Sequence, residues 1–338
     1  MHQLPLAGVP EALARIACVH VGTPKTGTTA IQAFLAVNRE RLLEAGIVYP
    51  RAGCPTAGPT FAPGHHLVPR ELATGEASPS LDAVIAEAKS SGAPSLIISS
   101  EEFHALVPHP AFGAVVAGLK SLDYVPVALV FLRGQALYAE SIYIEMLKGG
   151  FLTLFDWFAA EILRTGEYVQ KASGQHIEFV YSRMIAQLES HFGAGLVVPR
   201  PYNSGLAAKK LPLEVLEIVG RLRGDLHVKG LMQPSHENTS LSLRAVLRIL
   251  RRFSRVPPDM PDLPDAELDA RFSLLTYEDV VRFYERFAED NRDVNERFGI
   301  EIPFAKISDV PAADHPRFAR ARIQREAIGR IIERIVLA

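Results

Sequence analysis

Short stretches that are apolar at nearly every position alternate along the chain with longer ones in which apolar residues recur every three or four places. The first kind includes Ile16 to Val21, Ile47 to Tyr49, Val125 to Leu132, Ile177 to Tyr181 and Leu196 to Val198, and Ser95 to Ser100 joins them with serines around the apolar centre Leu96 to Ile98. The second begins near Thr28, with Ile31, Phe34, Leu35, Leu42 and Leu43, and returns near 81–90, 110–121, 135–148, 153–165 and up to Phe192. Continuous apolar runs suit strands covered on both faces, and the 3.6-residue period suits helices with one buried face. The alternation predicts an α/β fold, a parallel β-sheet flanked by helices, over residues 14–203. From 204 to 338 the pattern is helical, near 212–223, 240–255, 276–297 and 317–336, interrupted by a proline-stiffened linker from Pro257 to Pro264. This part is expected to pack on the core or cap it, and a core with an appendage or two small domains would both fit the length.

The first strand runs into Gly22-Thr23-Pro24-Lys25-Thr26-Gly27-Thr28-Thr29, after which a helix begins. Gly22 and Gly27 let the backbone curl so that N–H groups share one hollow, and the helix adds its positive dipole end. Phosphate or sulfate suits such a hollow. The nucleoside-triphosphatase loop has a lysine directly after its second glycine, then a hydroxyl for magnesium. Here Thr28 takes that place and the lysine lies inside the loop, at Lys25. That arrangement makes a poor ATP–magnesium loop.

The run Pro24 to Thr29 after a hydrophobic strand resembles the 5′-phosphosulfate loop of sulfotransferases that use 3′-phosphoadenosine 5′-phosphosulfate, most closely their bacterial carbohydrate-type branch. Arg133 at a strand end and Ser141 eight residues later keep the family's step for holding the 3′-phosphate. Tyr143, Lys148, Gly149-Gly150, and the stretches Phe287 to Asn291 and Asn295 to Gly299 are similar to the family's text as well. The resemblance implies a P-loop NTPase-like three-layer sandwich, with Thr23, Pro24, Lys25, Thr26, Gly27, Thr28 and Thr29 around the phosphosulfate. It further implies Tyr181 against the adenine and Asn238, from an Asn-x-Ser stretch, at the 3′-phosphate or adenine. Lys25 would stabilise charge on the leaving phosphate, in place of a metal, and the acceptor would be a hydroxyl of a sugar or other hydroxylated small molecule.

Two candidates stand for the general base. Glu101 follows a buried strand onto the rim where ligands of parallel sheets collect. His65 and His66 lie in the proline- and glycine-rich stretch 51–80, read as a flap beside the acceptor, and imidazole titrates near neutrality. No His, Cys or acidic cluster has metal-ligand spacing, so no metal is expected. An atypical P-loop kinase and a non-catalytic nucleotide-binding module remain as alternatives.

Composition narrows the rest. A chain of 338 residues with 48% hydrophobic and 22% charged residues is ordinary for a globular protein, and its net charge of -2 argues against bulk nucleic-acid binding. Glu11 and Arg15 interrupt the N-terminal stretch, so no secretory leader is expected, and no run reaches the length of a membrane span. Cys18, in a strand, and Cys54, in a loop, fit neither a disulfide framework nor a zinc site, which suits a cytoplasmic setting. Arg244, Arg248, Arg251, Arg252 and Arg255 share one helical face, read as solvated or as a contact for an anionic acceptor.

Overall fold

The computed structural model describes residues 13–55, 63–75, 77–170, 176–202, 210–224, 228, 230–232, 241–253, 263–303 and 310–337. Seven strands appear among them: β1 (Ile16–Val21), β2 (Ile47–Val48), β3 (Ser95–Ser100), β4 (Val125–Leu132), β5 (Glu167–Val169), β6 (His176–Glu178) and β7 (Val197–Pro201). Five form a parallel sheet in the order β2-β3-β1-β4-β7. The expected parallel sheet flanked by helices is therefore present.

Alternate residues of the central strands face two separate cores, as the period of a pleated strand requires. Val19 and Val21 of β1, with Ala128, Val130 and Leu132 of β4, pack against helices Pro79–Ser91, Phe112–Lys120 and Tyr181–Phe192. Ile16 and Cys18, with Val127, Leu129 and Phe131, pack on the other side against helices Thr28–Val37 and Leu211–Arg223. Prolines are tolerated where no ladder bond is lost. Pro126 precedes the β7 pairing, which starts at Ala128, and Pro199 and Pro201 lie on the edge strand β7.

Four details differ from the sequence reading. Ile177 to Tyr181 is not a strand of the main sheet. Residues His176–Glu178 pair antiparallel with Glu167–Val169 as a separate hairpin, and Tyr181 opens a helix. The stretch 51–80 is not all loop, because helix Leu67–Ala73 lies within it. Pro69 hid that helix, yet it stands in the first turn, where a missing N–H breaks no intrahelical bond. The basic helix near 240–255 is shorter, Leu243–Leu250 followed by a single 3₁₀ turn to Phe253.

A third core lies beyond the sheet, where helices Gln135–Lys148 and Phe155–Thr165 meet helices Leu243–Leu250, Tyr277–Phe298 and Pro316–Leu337. Tyr138, Phe158, Phe283 and Phe287 are among its buried rings. Helix Tyr277–Phe298 begins with a capping box, Thr276 with Asp279, and ends at Gly299 in the left-handed conformation. Both cysteines are free and buried, and burial pushes the Cys18 thiol up to about 12 and that of Cys54 to about 11. Among the described residues no helix is long and apolar enough to cross a membrane.

Candidate active site

Helix Thr28–Val37, which follows β1, covers one face of the sheet, whereas helix Phe112–Lys120, which follows β3, covers the other. Adjacent strands that send their chains to opposite faces leave a crevice between their carboxyl ends. Gly22 and Glu101 meet there. A Cβ added at Gly22 would lie 2.4 Å from Thr28 Cγ2 and 3.0 Å from the Glu101 Cα, so only glycine lets the two strand ends close up.

The loop between Gly22 and Thr28 is braced from the β4 side. The Thr23 hydroxyl donates to the Phe131 carbonyl, and the Thr26 hydroxyl donates to the Thr23 carbonyl at 2.6 Å. Arg133 Nη1 donates to the Lys25 carbonyl at 3.0 Å. Gly27 has φ 81° and Lys25, unusually for a residue with a side chain, φ 67°. Two left-handed residues in one turn reverse the chain sharply enough to curl the following amides towards the start of the helix. The first N–H groups of that helix have no intrahelical partner by geometry, and its Gly27 cap contributes no side chain to satisfy them.

Arg133 is 8% exposed and forms no ion pair among the described residues. Burial holds its guanidinium below the usual arginine value, with nearby Arg271 acting in the same direction and the Tyr202 hydroxyl and the charge of Glu140 opposing it. The carbonyl of Arg133 accepts from the hydroxyl of Tyr181, and its guanidinium stands 5.5 Å from the centre of the Tyr202 ring. Tyr181 is wholly buried, so its hydroxyl fixes the backbone of Arg133 instead of offering an open ring face. Tyr202 is only half-buried and has a ring carbon 3.5 Å from the Cβ position of Gly27. Its ring is partly accessible beside the loop, and no pattern in the sequence marks it.

Helix Gln135–Lys148 starts after Gly134, whose extended ψ of 129° turns the chain directly behind Arg133. Ser141 and Glu145 lie one turn apart on the same helical face. Glu145 Oε2 meets Lys25 Nζ at 3.2 Å and Lys148 Nζ at 2.9 Å. Burial tends to raise the Glu145 carboxyl, but the Lys148 bond and the Lys25 charge outweigh it and hold the group below the usual carboxylate value. Glu145 thus ties this helix, with Ser141 one turn before it, to the loop that carries Lys25; Pro24 lies in the turn, and Thr28 and Thr29 open helix Thr28–Val37.

On the β3 side the chemistry changes. Gln32, 1% exposed, donates from Nε2 to Glu101 Oε2 at 3.0 Å. His66 Nδ1 lies 2.9 Å from Ser100 Oγ and 4.0 Å from the same Glu101 oxygen. Glu102, beside it, is held by Arg70 at 2.7 and 2.5 Å, ahead of a short helix, Phe103–Leu106. His65 turns into the sheet: its amide donates to the Ser99 carbonyl at 2.7 Å, and its Nδ1 accepts from the Ser99 amide at 3.1 Å. With Nδ1 accepting, the ring proton sits on Nε2. Desolvation, reinforced by the charge of Arg39, pushes His65 down to about 3. No basic nitrogen of His65 is left free, so of the two flap histidines only His66 stands beside Glu101.

Asn238 and Arg255 lie outside the described residues. Arg244 is paired with Asp265 and Asp269, whereas Arg248, Arg251 and Arg252 are exposed. The β5–β6 hairpin gathers Glu167, His176 and Glu178 within 4.8 Å, a cluster that the linear spacing did not reveal. Arg183 and the amides of Phe179 and Val180 already bond to Glu178, and His176 bonds to Glu167. The cluster is an ion-pair group in which both oxygens of Glu178 and Oε2 of Glu167 are engaged.

No protein-family model matches the chain, and no curated protein matches it. A crystal structure of a sulfotransferase from Alicyclobacillus acidocaldarius aligns with 86% of this chain and 98% of its own, at 13% identity and a TM-score of 0.48.

Proposed function

We propose that this protein is a sulfotransferase that moves a sulfuryl group from 3′-phosphoadenosine 5′-phosphosulfate to a hydroxyl of a sugar or other hydroxylated acceptor. One observation carries the reading: a glycine-kinked anion loop stands beside Arg133, a buried guanidinium without a carboxylate partner among the described residues. The nearby acid, Glu140, acts on Arg133 by charge alone, its Oε1 being bonded to Ser273 and the amides of Leu274 and Leu275. A buried guanidinium without a bonded acid is costly, and a phosphate at that position offsets the cost with charge-assisted bonds.

The fit of the donor follows from side chains already in place. The loop Thr23 to Thr29 takes the phosphosulfate end, Arg133 and Ser141 the 3′-phosphate, and Tyr202 offers a ring to the purine. Lys25 supplies the positive charge that a divalent ion supplies in triphosphatase loops. In the transfer the acceptor oxygen forms a bond to sulfur as the bond from sulfur to the 5′-phosphate oxygen breaks. The acceptor proton passes to Glu101, and the charge left on the phosphate faces Lys25. Glu101 is the base in this reading because it abuts Gly22 of the loop, whereas His66 lies behind it.

Calorimetry with adenosine 3′,5′-bisphosphate tests the reading. Binding that survives EDTA, and that R133A weakens about 10- to 100-fold, is expected for a charged hydrogen-bonding group. Transfer of labelled sulfate from the donor to a sugar hydroxyl completes it. Failure to bind the bisphosphate, together with magnesium-dependent phosphoryl transfer from ATP, would overturn it in favour of a kinase.

A further inference from the structure

Helix Thr28–Val37 turns Ile31, Phe34 and Leu35 towards the sheet, yet Gln32, equally buried, lies among them. An amide costs free energy in such a place unless its polar atoms are bonded, and leucine would pack there without that cost. The amide nitrogen of Gln32 reaches Glu101 Oε2 at 3.0 Å and, more loosely, Ser99 Oγ at 3.4 Å. We propose that Gln32 is a positioning residue for Glu101, linking the helix that closes the anion loop to the group that takes the acceptor proton. The inference rests on the sulfotransferase reading above.

The geometry supports this at three points. Gln32 is one turn beyond Thr28 on the same helical face, and Thr28 packs against Gly22, which in turn abuts the backbone of Glu101. Loop, amide and carboxylate therefore form one column. Next, the amide is caged. A Cβ at Gly64 would lie 2.6 Å from both Cδ and Nε2 of Gln32, so the backbone of residue 64 presses directly on it and holds its orientation. Finally, the contacts to Glu101 fall on one oxygen. Both Gln32 and His66 approach Oε2, and among the described residues Oε1 has no hydrogen bond, leaving that oxygen to receive a proton.

The test is a mutant cycle on the full chain, read by steady-state kinetics of sulfate transfer and by calorimetry with adenosine 3′,5′-bisphosphate. Gln32→Leu is expected to lower kcat roughly 10- to 100-fold, the size of effect that a misplaced reacting group produces. Affinity for the bisphosphate should stay within about 2-fold, because the donor side is untouched. In a Glu101→Gln background the same change should cause no further loss, since the contact it removes no longer serves a base. Gln32→Met, similar in length and volume, gives the same readout should the leucine variant fold poorly.

Wild-type kcat in both Gln32 variants would overturn the proposal. So would an equal loss in the presence and absence of the Glu101 substitution, which marks a merely structural residue. Failure of the sulfotransferase reading looks different, because the unmodified protein would then neither bind the bisphosphate nor transfer sulfate.

Discussion

The two walls of the crevice are built from opposite chemistry. On the β4 side stand Lys25, Arg133, Arg271 and the Tyr202 ring; on the β3 side stand Glu101, Glu102, His66 and the Gln32 amide. The cationic wall is held largely by backbone carbonyls, those of Phe131 and Lys25, which brace the loop without neutralising its charge. The acidic wall is held by side chains that share hydrogen bonds, with Ser99 and Ser100 at the centre. A site that must bind an anion and also accept a proton has reason to keep these tasks on separate strands, because a carboxylate against Arg133 would cancel the charge that binds.

Three measurements would sharpen or break that division. The largest effect is expected from Glu101→Gln, which removes the proposed proton acceptor and leaves the cationic wall intact. It should lower kcat by about 10²- to 10⁴-fold with unchanged affinity for adenosine 3′,5′-bisphosphate. A variant that loses affinity and turnover together would show that the walls act as one.

Next in size is a pH effect seated behind the acidic wall. Burial pushes His20, bonded to Ser99, and His104 down to about 3, and burial with the Arg39 charge does the same to His65, against an ordinary 6.5. Between those values the unfolded chain binds protons that the folded chain does not, so unfolding gains as pH falls. Stability should be full above about pH 6.5 and decline steadily towards pH 3. Urea midpoints measured at neutral pH and at roughly pH 5 check this, and equal midpoints would refute it.

The smallest effect concerns the acid that forms an ion pair with Lys25 of the cationic wall. Glu145 is that acid, and in the proposed reaction an incoming anion must compete with it. Glu145→Gln should tighten bisphosphate binding a few-fold, the scale of a half-exposed ion pair worth about 0.5–1 kcal/mol. Weaker binding would mean that Glu145 orients the lysine instead of competing for it.

Much of the cationic wall was legible in the chain. Gly22, Lys25 and Gly27 announce the loop because the required backbone turns restrict residue type, and Arg133 stands out as a charge that ends an apolar run. The acidic wall was only half legible. Gln32 is a polar residue between apolar ones on a helix, a pattern that reads as a solvated position; only the return of residue 64 over the amide buries it. Tyr202 lies past the last strand, where no periodicity marks a neighbour of the loop. Tyr181 was misplaced because the apolar stretch from Ile177 fits a sheet strand as well as the hairpin it forms. His65 and His66 look alike in sequence, and the turn into helix Leu67–Ala73, which follows His66 directly, sends one into Ser99 and the other towards Glu101.

The backbone of Lys25 bears on how this loop can change. At φ 67° a residue with a side chain gives up about 1–2 kcal/mol relative to one in the ordinary helical region, a penalty that glycine escapes. The chain tolerates a less comfortable turn in order to mount an ammonium at its crest. Selection for heat resistance alone would therefore drift position 25 towards glycine. A descendant carrying glycine there would keep its shape, gain robustness, and have given up the chemistry proposed for the lysine.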